Sequence, residues 1–254
     1  MSQNFFQLLK IENPLKIVGT INAFSALLAK RKGHQAIYLS GAGVANASYG
    51  LPDLALTSRD NVLEDLRRIK GVCDLPILVD CDTGWGSGLN ISKTIKEMIN
   101  AGADAVHLED QVSEKRCGHR PGKEIVSSDE MEDRIKAAKD SIDNKNFMLM
   151  ARTDAFSKEG INSVIDRSNA YIEAGADSIF PEAITKLDDY LEISKNVNAP
   201  ILANITEFGL TPMFEINELK NSGVKMILYP LSAFRAMSKA AEEIYEELAE
   251  KETL

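Results

Sequence analysis

The sequence is short of cysteine, histidine and tryptophan, has no surplus of basic residues, and has no long apolar run. Only three cysteines occur, Cys73, Cys81 and Cys117. An odd count without a C-x-x-C pair argues against a disulfide framework or a cysteine-type zinc site, and it fits a reducing, cytoplasmic compartment. The formal net charge is −9. That balance, with no Lys/Arg run, argues against a nucleic-acid partner and against attraction to anionic lipid. No stretch approaches the roughly 20 apolar residues of a membrane span. Met1–Lys10 has no basic start followed by an apolar run, so it does not read as a secretory signal.

What is present is a chain of 254 residues with an ordinary hydrophobic share of 44%. That length bounds the chain to about one large domain with a substantial core. Short apolar runs rich in β-branched residues begin near Ile17, Ala36, Pro76, Ala105, Phe147, Ser178, Pro200 and Val224. Each is short enough for a buried parallel strand. Helical periods lie between them, among them Asn90–Asn100, Ser127–Ser141 and Asn162–Ala174. Ser127 and Ser128 followed by Glu130 resemble the opening of a capping box. Ala101-Gly102-Ala103-Asp104 recurs as Ala174-Gly175-Ala176-Asp177, and Ser222-Gly223-Val224 is a weaker echo. Each puts a glycine just past a helix and then enters a strand. Eight such units without a composition break predict one α/β domain over residues 1–254, a single (β/α)8 TIM-type barrel. A doubly wound sheet is the rival.

In such a barrel the chemistry collects at the C-terminal ends of the strands. Polar residues do follow the predicted strands there. Asp80 and Asp82 stand at i and i+2 after Ile77-Leu78-Val79, on one side of the strand end. Oxygen ligands of this kind suit Mg2+ or Mn2+, and a helix-capping aspartate in a glycine loop is the plain alternative. Glu109 ends another strand, and His107 beside it reads as a buried hydrogen-bonding residue. Lys115-Arg116-Cys117-Gly118-His119 is the sharpest signal, a thiol among three cations in a glycine-containing loop. Such neighbours are expected to lower the thiol pKa from about 8.5. A nucleophile, a redox sensor or an acid/base cysteine all fit that pattern. Cys73 and Cys81, beside apolar strand residues, read as packing. Arg152 at a strand end is a natural carboxylate partner. Arg235 opens the last helix, and Asn204 with Thr206 offers polar groups after a further strand.

Together these strings resemble the 2-methylisocitrate lyases of the isocitrate lyase/phosphoenolpyruvate mutase superfamily. The resemblance runs through Val18–Ile21, Tyr38–Gly41, Gly50–Asp53, Asp80–Gly86 and Lys115–Pro121. It continues in Met150–Asp154, Phe180–Ala183, Ala203–Gly209 and Tyr229–Met237, so it covers almost the whole chain. It implies a magnesium site (Mn2+ as the substitute) at Asp80 and Asp82, with Asp53 and Glu109 holding metal-bound water. Cys117 matches the catalytic cysteine, on a loop expected to be mobile when empty and to close over substrate. Tyr38 matches a tyrosine that helps deprotonate the substrate hydroxyl. Ser40, Gly41, Ala42, Gly118, Arg152, Glu182, Asn204, Thr206 and Arg235 match substrate-binding positions. Ala42 stands where the family usually has glycine.

The activity so implied is cleavage of 2-methylisocitrate, a small tricarboxylate, to pyruvate and succinate, a step of propionate breakdown by the methylcitrate cycle. A related lyase acting on isocitrate or a substituted malate is the alternative, and a catalytically silent metabolite-binding barrel is a third reading. The resemblance also implies a homotetramer of dimers that exchange terminal helices. Here the last helix is expected from about Leu231 to Glu250, with Phe234, Met237, Ala241, Ile244, Tyr245 and Leu248 on one apolar face. That face is expected to close the barrel within its own subunit. Lys251–Leu254 is too short for the further swapped helices of relatives, so a tetramer or dimer that dissociates on dilution is expected.

Overall fold

The computed structural model describes residues 3–251. Eight strands occur: β1 Leu15–Gly19, β2 Ala36–Leu39, β3 Ile77–Asp80, β4 Ala105–Glu109, β5 Met148–Thr153, β6 Ser178–Pro181, β7 Leu202–Asn204 and β8 Met226–Tyr229. All neighbours pair in parallel, in the order β6-β5-β4-β3-β2-β1-β8-β7. A parallel bridge between Ile179 and Ile201 joins the two ends and closes the ring. This is the predicted (β/α)8 barrel, and a doubly wound sheet is excluded because such a sheet stays open. Every predicted strand start lies within two residues of the observed one.

The helices are α1 Phe5–Ile11, α2 Ala23–Arg31, α3 Gly41–Gly43, α4 Arg59–Lys70, α5 Gly88–Asn100, α6 Ser128–Lys139, α7 Phe156–Glu173, α8 Leu187–Asn196, α9 Ile216–Asn221 and α10 Ser232–Glu250. Ser127 caps α6 by accepting from Glu130 N–H at 3.2 Å. The helix expected from Asn162 begins earlier, at Phe156, and is broken at Gly160, whose φ of 80° is open to glycine.

Side chains alternate in and out of the barrel wall with the period of a strand. Leu15, Ile17, Ala36, Tyr38, Leu78, Ala105, Met148, Met150, Phe180, Leu202, Met226 and Leu228 point inward. Ile37, Leu39, Ile77, Val79, Val106, Leu149 and Ile227 point outward against the helices. The N-terminal helix α1 belongs to the inner cluster. Asn4 caps it in a reciprocal box with Gln7, and Phe5 and Leu8, one turn apart, bury themselves in the interior group. Burying two such side chains contributes about 3–6 kcal/mol. Cys73 and Cys81 are buried in the outer cluster, as their apolar neighbours predicted.

The expectation for α10 is overturned. Among the described residues, none of that helix is buried. Met237, Ile244, Tyr245 and Leu248 are 40, 44, 72 and 47% exposed. The helix has 19 residues, about 28 Å, yet the 18-residue α7 buries a face where α10 buries none. Its apolar face, from Met237 to Leu248, is therefore not packed on the barrel wall it was expected to cover. The tail from Glu252 to Leu254 lies outside the described residues.

Candidate active site

The inward alternation continues past the strand ends, and it is what assembles the site. Tyr38 and Ser40, Asp80 and Asp82, His107 and Glu109, Arg152 and Asp154, Phe180 and Glu182, and Asn204 and Thr206 are each two residues apart on consecutive barrel elements. One pocket at this end is lined by Tyr38, Ser40, Ala42, Asp53, Asp80, Cys117, Gly118, Arg152, Glu182, Asn204, Thr206 and Arg235. The structure thus brings together twelve of the fifteen residues expected from the sequence. Gly41, Asp82 and Glu109 do not line it. Gly41 N–H donates to Asp80 Oδ2 at 3.0 Å from behind, and Asp82 and Glu109 are buried neighbours of the pocket's cations.

The acidic floor is densely charged. Lys115 Nζ lies 2.6 Å from Asp53 Oδ1 and 2.9 Å from Asp82 Oδ1. Asp82 takes a φ of 46°, and its N–H donates to Asp80 Oδ1 at 3.2 Å. Burial would raise the Asp80 pKa, but His107, Lys115 and Arg152 outweigh it and hold this carboxyl well below its usual range. Asp82 goes the other way, up to about 6, because burial exceeds the help from Lys115. Burial also pushes Glu109 well up, despite Arg152 and Lys115.

Among the described residues, no three His, Cys, Asp or Glu side chains already form a metal shell. The donor set nevertheless fits a hard divalent cation. Asp53, Asp80, Asp82 and Glu109 are four carboxylates against two cations, Lys115 and Arg152, and Glu109 Oε1 is buried without a hydrogen-bond partner. Oxygen donors in excess of local positive charge are what Mg2+ or Mn2+ takes.

On the wall, Tyr38 Oη is 2.9 Å from His107 Nε2 and 3.2 Å from Asp80 Oδ2, so its one proton can be donated to either. Burial keeps the phenol un-ionised, and it lowers His107 to about 4, so the imidazole is neutral at pH 7. Arg152 is enclosed by carboxylates, with Asp154 Oδ2 at 2.9 Å, Glu182 Oε2 at 3.2 Å and Glu109 Oε2 at 3.3 Å. Its guanidinium also lies over the Phe180 ring. Glu182 Oε1 accepts from Ala183 N–H at 2.9 Å and stands 3.2 Å from His119 Nε2. Arg235 comes from the first turn of α10 and bonds Thr206 Oγ1 at 2.9 Å and Glu207 Oε2 at 2.6 Å.

The Cys117 loop folds over this pocket. Its base is clasped by the bridge between Gln111 and Ile125. Cys117 is half-buried, and Gly118 is packed so closely that a Cβ there would collide with Arg152 Nη2 and Glu182 Cγ. The expected lowering of the thiol pKa does not hold. Burial raises the Cys117 pKa above its ordinary value and Asp53 and Glu182 add to the rise, against a lowering by the His119 backbone and Arg152, while Lys115 and His119 direct their side chains elsewhere. Lys115 serves the acids, and His119 turns to Glu182 and accepts from Leu210 N–H at 3.0 Å. Sequence reasoning assigned both to the thiol and missed these roles. Their positions beside Cys117 were visible, but which way a loop side chain points is not periodic. Asp154, Lys123 and Glu207 were also missed as partners.

The sequence profile of the phosphoenolpyruvate phosphomutase family matches residues 5–249. The chain is 58% identical over 243 residues to the 2-methylisocitrate lyase of Escherichia coli K12, covering 95% of this chain and 82% of that protein. It is 58% identical over 247 residues to the enzyme of the same name from Vibrio cholerae, covering 95% and 80%. Among solved structures, a 2,3-dimethylmalate lyase superposes with a TM-score of 0.93 at 30% identity, over 100% of this chain and 87% of that one. An oxaloacetate acetylhydrolase bound to 3,3-difluorooxalacetate gives 0.91 at 29%, over 95% and 84%. A profile match over nearly the whole length, and relatives this similar, place the chain in the phosphoenolpyruvate phosphomutase/isocitrate lyase superfamily, to which it belongs.

Proposed function

We propose that this chain is a 2-methylisocitrate lyase that uses a divalent metal, releasing pyruvate and succinate in propionate breakdown. The observation that carries the substrate is the 58% identity to curated 2-methylisocitrate lyases, against 30% to the dimethylmalate lyase. Asp80 and Asp82 would hold Mg2+, with Asp53 and Glu109 close by. Bound there, it would supply Lewis-acid stabilisation of charge on the 2-oxo acid end. The residues' own work is distinct. Arg235, Asn204 and Thr206 bind substrate carboxylates at the mouth. The Tyr38 hydroxyl receives the proton of the substrate hydroxyl while its own proton passes to neutral His107 Nε2, 2.9 Å away. The C–C bond then breaks, and the Cys117 Sγ proton is transferred to the succinate carbanion. A thiol whose pKa is raised is suited to donating, because it keeps its proton at neutral pH. Gly118 and the loop exclude water from the carbanion.

The same reading includes a homo-oligomer in which a second copy covers the exposed α10 face, and a cytoplasmic setting that keeps the thiol reduced. The decisive experiment compares kcat/KM for 2-methylisocitrate, isocitrate and 2,3-dimethylmalate with Mg2+. A pocket distinguishes one methyl by about 10–200-fold. Preference for isocitrate or dimethylmalate overturns the substrate, and no turnover of any of the three favours a silent barrel.

A further inference from the structure

Lys123 carries a buried ammonium that the reaction described above does not use. The residue is only 5% exposed. Its Nζ donates to Gly118 O at 2.7 Å and to Asp154 Oδ1 at 2.9 Å. Burying a charge is costly unless it is paired and hydrogen-bonded, and here both conditions are met. The two partners belong to different parts of the molecule. Asp154 is fixed to the barrel, for its N–H donates to Asp110 Oδ1 at 2.8 Å and its carboxylate accepts from Arg152 Nε at 2.9 Å. Gly118 belongs to the loop and follows Cys117 directly. The turn is tight there, with Cys117 O accepting from Arg120 N–H at 2.9 Å. A bond to the Gly118 carbonyl therefore fixes the peptide next to the thiol.

We propose that Lys123 is a positioning residue, an ionic latch that ties the Cys117 loop to the strand-end Asp154 and so sets where the thiol stands. Lys115 fastens the other flank of the loop, but to the acids of the candidate metal site. Lys123 makes no direct contact with those acids, and its partner Asp154 reaches Glu109 only by way of Arg152. The proposal rests on Cys117 being the proton donor. Displacing a reacting group by about 1 Å costs on the order of 10²-fold in rate.

The test uses Lys123→Met in the full chain, which keeps the stem and removes the ammonium. With 2-methylisocitrate and Mg2+, kcat is expected to fall about 10–100-fold while KM changes less than about threefold. Lys123→Arg, which restores charge and donors, is expected to recover part of the loss. Alkylation of Cys117 by iodoacetamide in ligand-free protein, followed by peptide mass spectrometry, is expected to be about tenfold faster in Lys123→Met, since opening exposes the thiol. Unchanged alkylation and kcat, or a loss confined to KM, overturns the latch. If Lys123→Met does not fold, Lys123→Gln carries the same two readings. Wild-type protein that does not turn over 2-methylisocitrate would defeat the proposed function, and the alkylation rates would still decide the latch.

Discussion

Cys117→Ser separates a proton donor from the other roles a loop cysteine can have. Oxygen replaces sulfur with little change of shape, so the packing of Gly118 on Arg152 and Glu182 is left in place. The carboxylate contacts at Arg235, Asn204 and Thr206 are untouched, and KM is expected to stay within about threefold. A positioned general acid is worth about 10²–10⁴-fold, which corresponds to about 2.7–5.4 kcal/mol of barrel-end chemistry lost from kcat. The structure adds a constraint on pH. The donor must carry its proton, and burial raises the Cys117 pKa. A raised pKa extends the protonated range upward, so activity persists through neutral pH and is lost as pH rises through the thiol's pKa, above the ordinary value of about 8.5. A thiolate mechanism runs in the opposite sense, gaining activity over that range. Pyruvate release measured from pH 6 to about 10, for wild type and variant, reads both quantities. Turnover by Cys117→Ser within threefold of wild type would refute the donor role, and activity that climbs through the thiol pKa would refute the protonation argument.

Gly118→Ala is expected to fold normally but to lose about 10²-fold or more in kcat, because its methyl cannot share space with Arg152 and Glu182; normal turnover with an intact loop would contradict this geometry. Mg2+ is expected to raise the melting temperature, by the equivalent of about 2.7 kcal/mol at a hundredfold excess over Kd, and chelation is expected to abolish turnover. Asp82→Asn is expected to remove most of that thermal shift, and a shift of full size in the variant would count against the acid set. Tyr245→Glu with Ile244→Glu on the exposed face of α10 is expected to weaken self-association, so that sedimentation finds smaller species at micromolar concentration; an unchanged mass places the interface elsewhere.

The barrel was legible because its signals are local and repeated. Apolar runs such as Ile77-Leu78-Val79 and the paired Ala-Gly-Ala-Asp strings mark strand entries whatever the rest of the chain does. The acids and polar residues at the strand ends followed from the same register. Three things did not. The thiol's protonation depends on burial and on where Lys115 and His119 point, which residue order does not encode. The contact between Tyr38 and His107 is made between β2 and β4, over the intervening β3, 69 residues apart. The apolar stripe of α10 was correctly seen from Met237 to Leu248, yet an amphipathic pattern tells only that a face wants covering, not by which surface.

The helix α1 deserves its place in this picture for a reason beyond stability. With Phe5 and Leu8 seated among the interior side chains, the far end of the barrel is stoppered. The pocket is a cul-de-sac, and traffic through it is last in, first out. Whatever fragment rests on the acidic floor stays trapped while its co-product stands between it and the doorway. On the assignment proposed above, succinate departs first and pyruvate second, and in the synthetic direction pyruvate must enter before succinate. The order of arrivals and departures would thus follow from the packed interior, with α1 as its outermost layer, and from residues that never touch the reacting atoms.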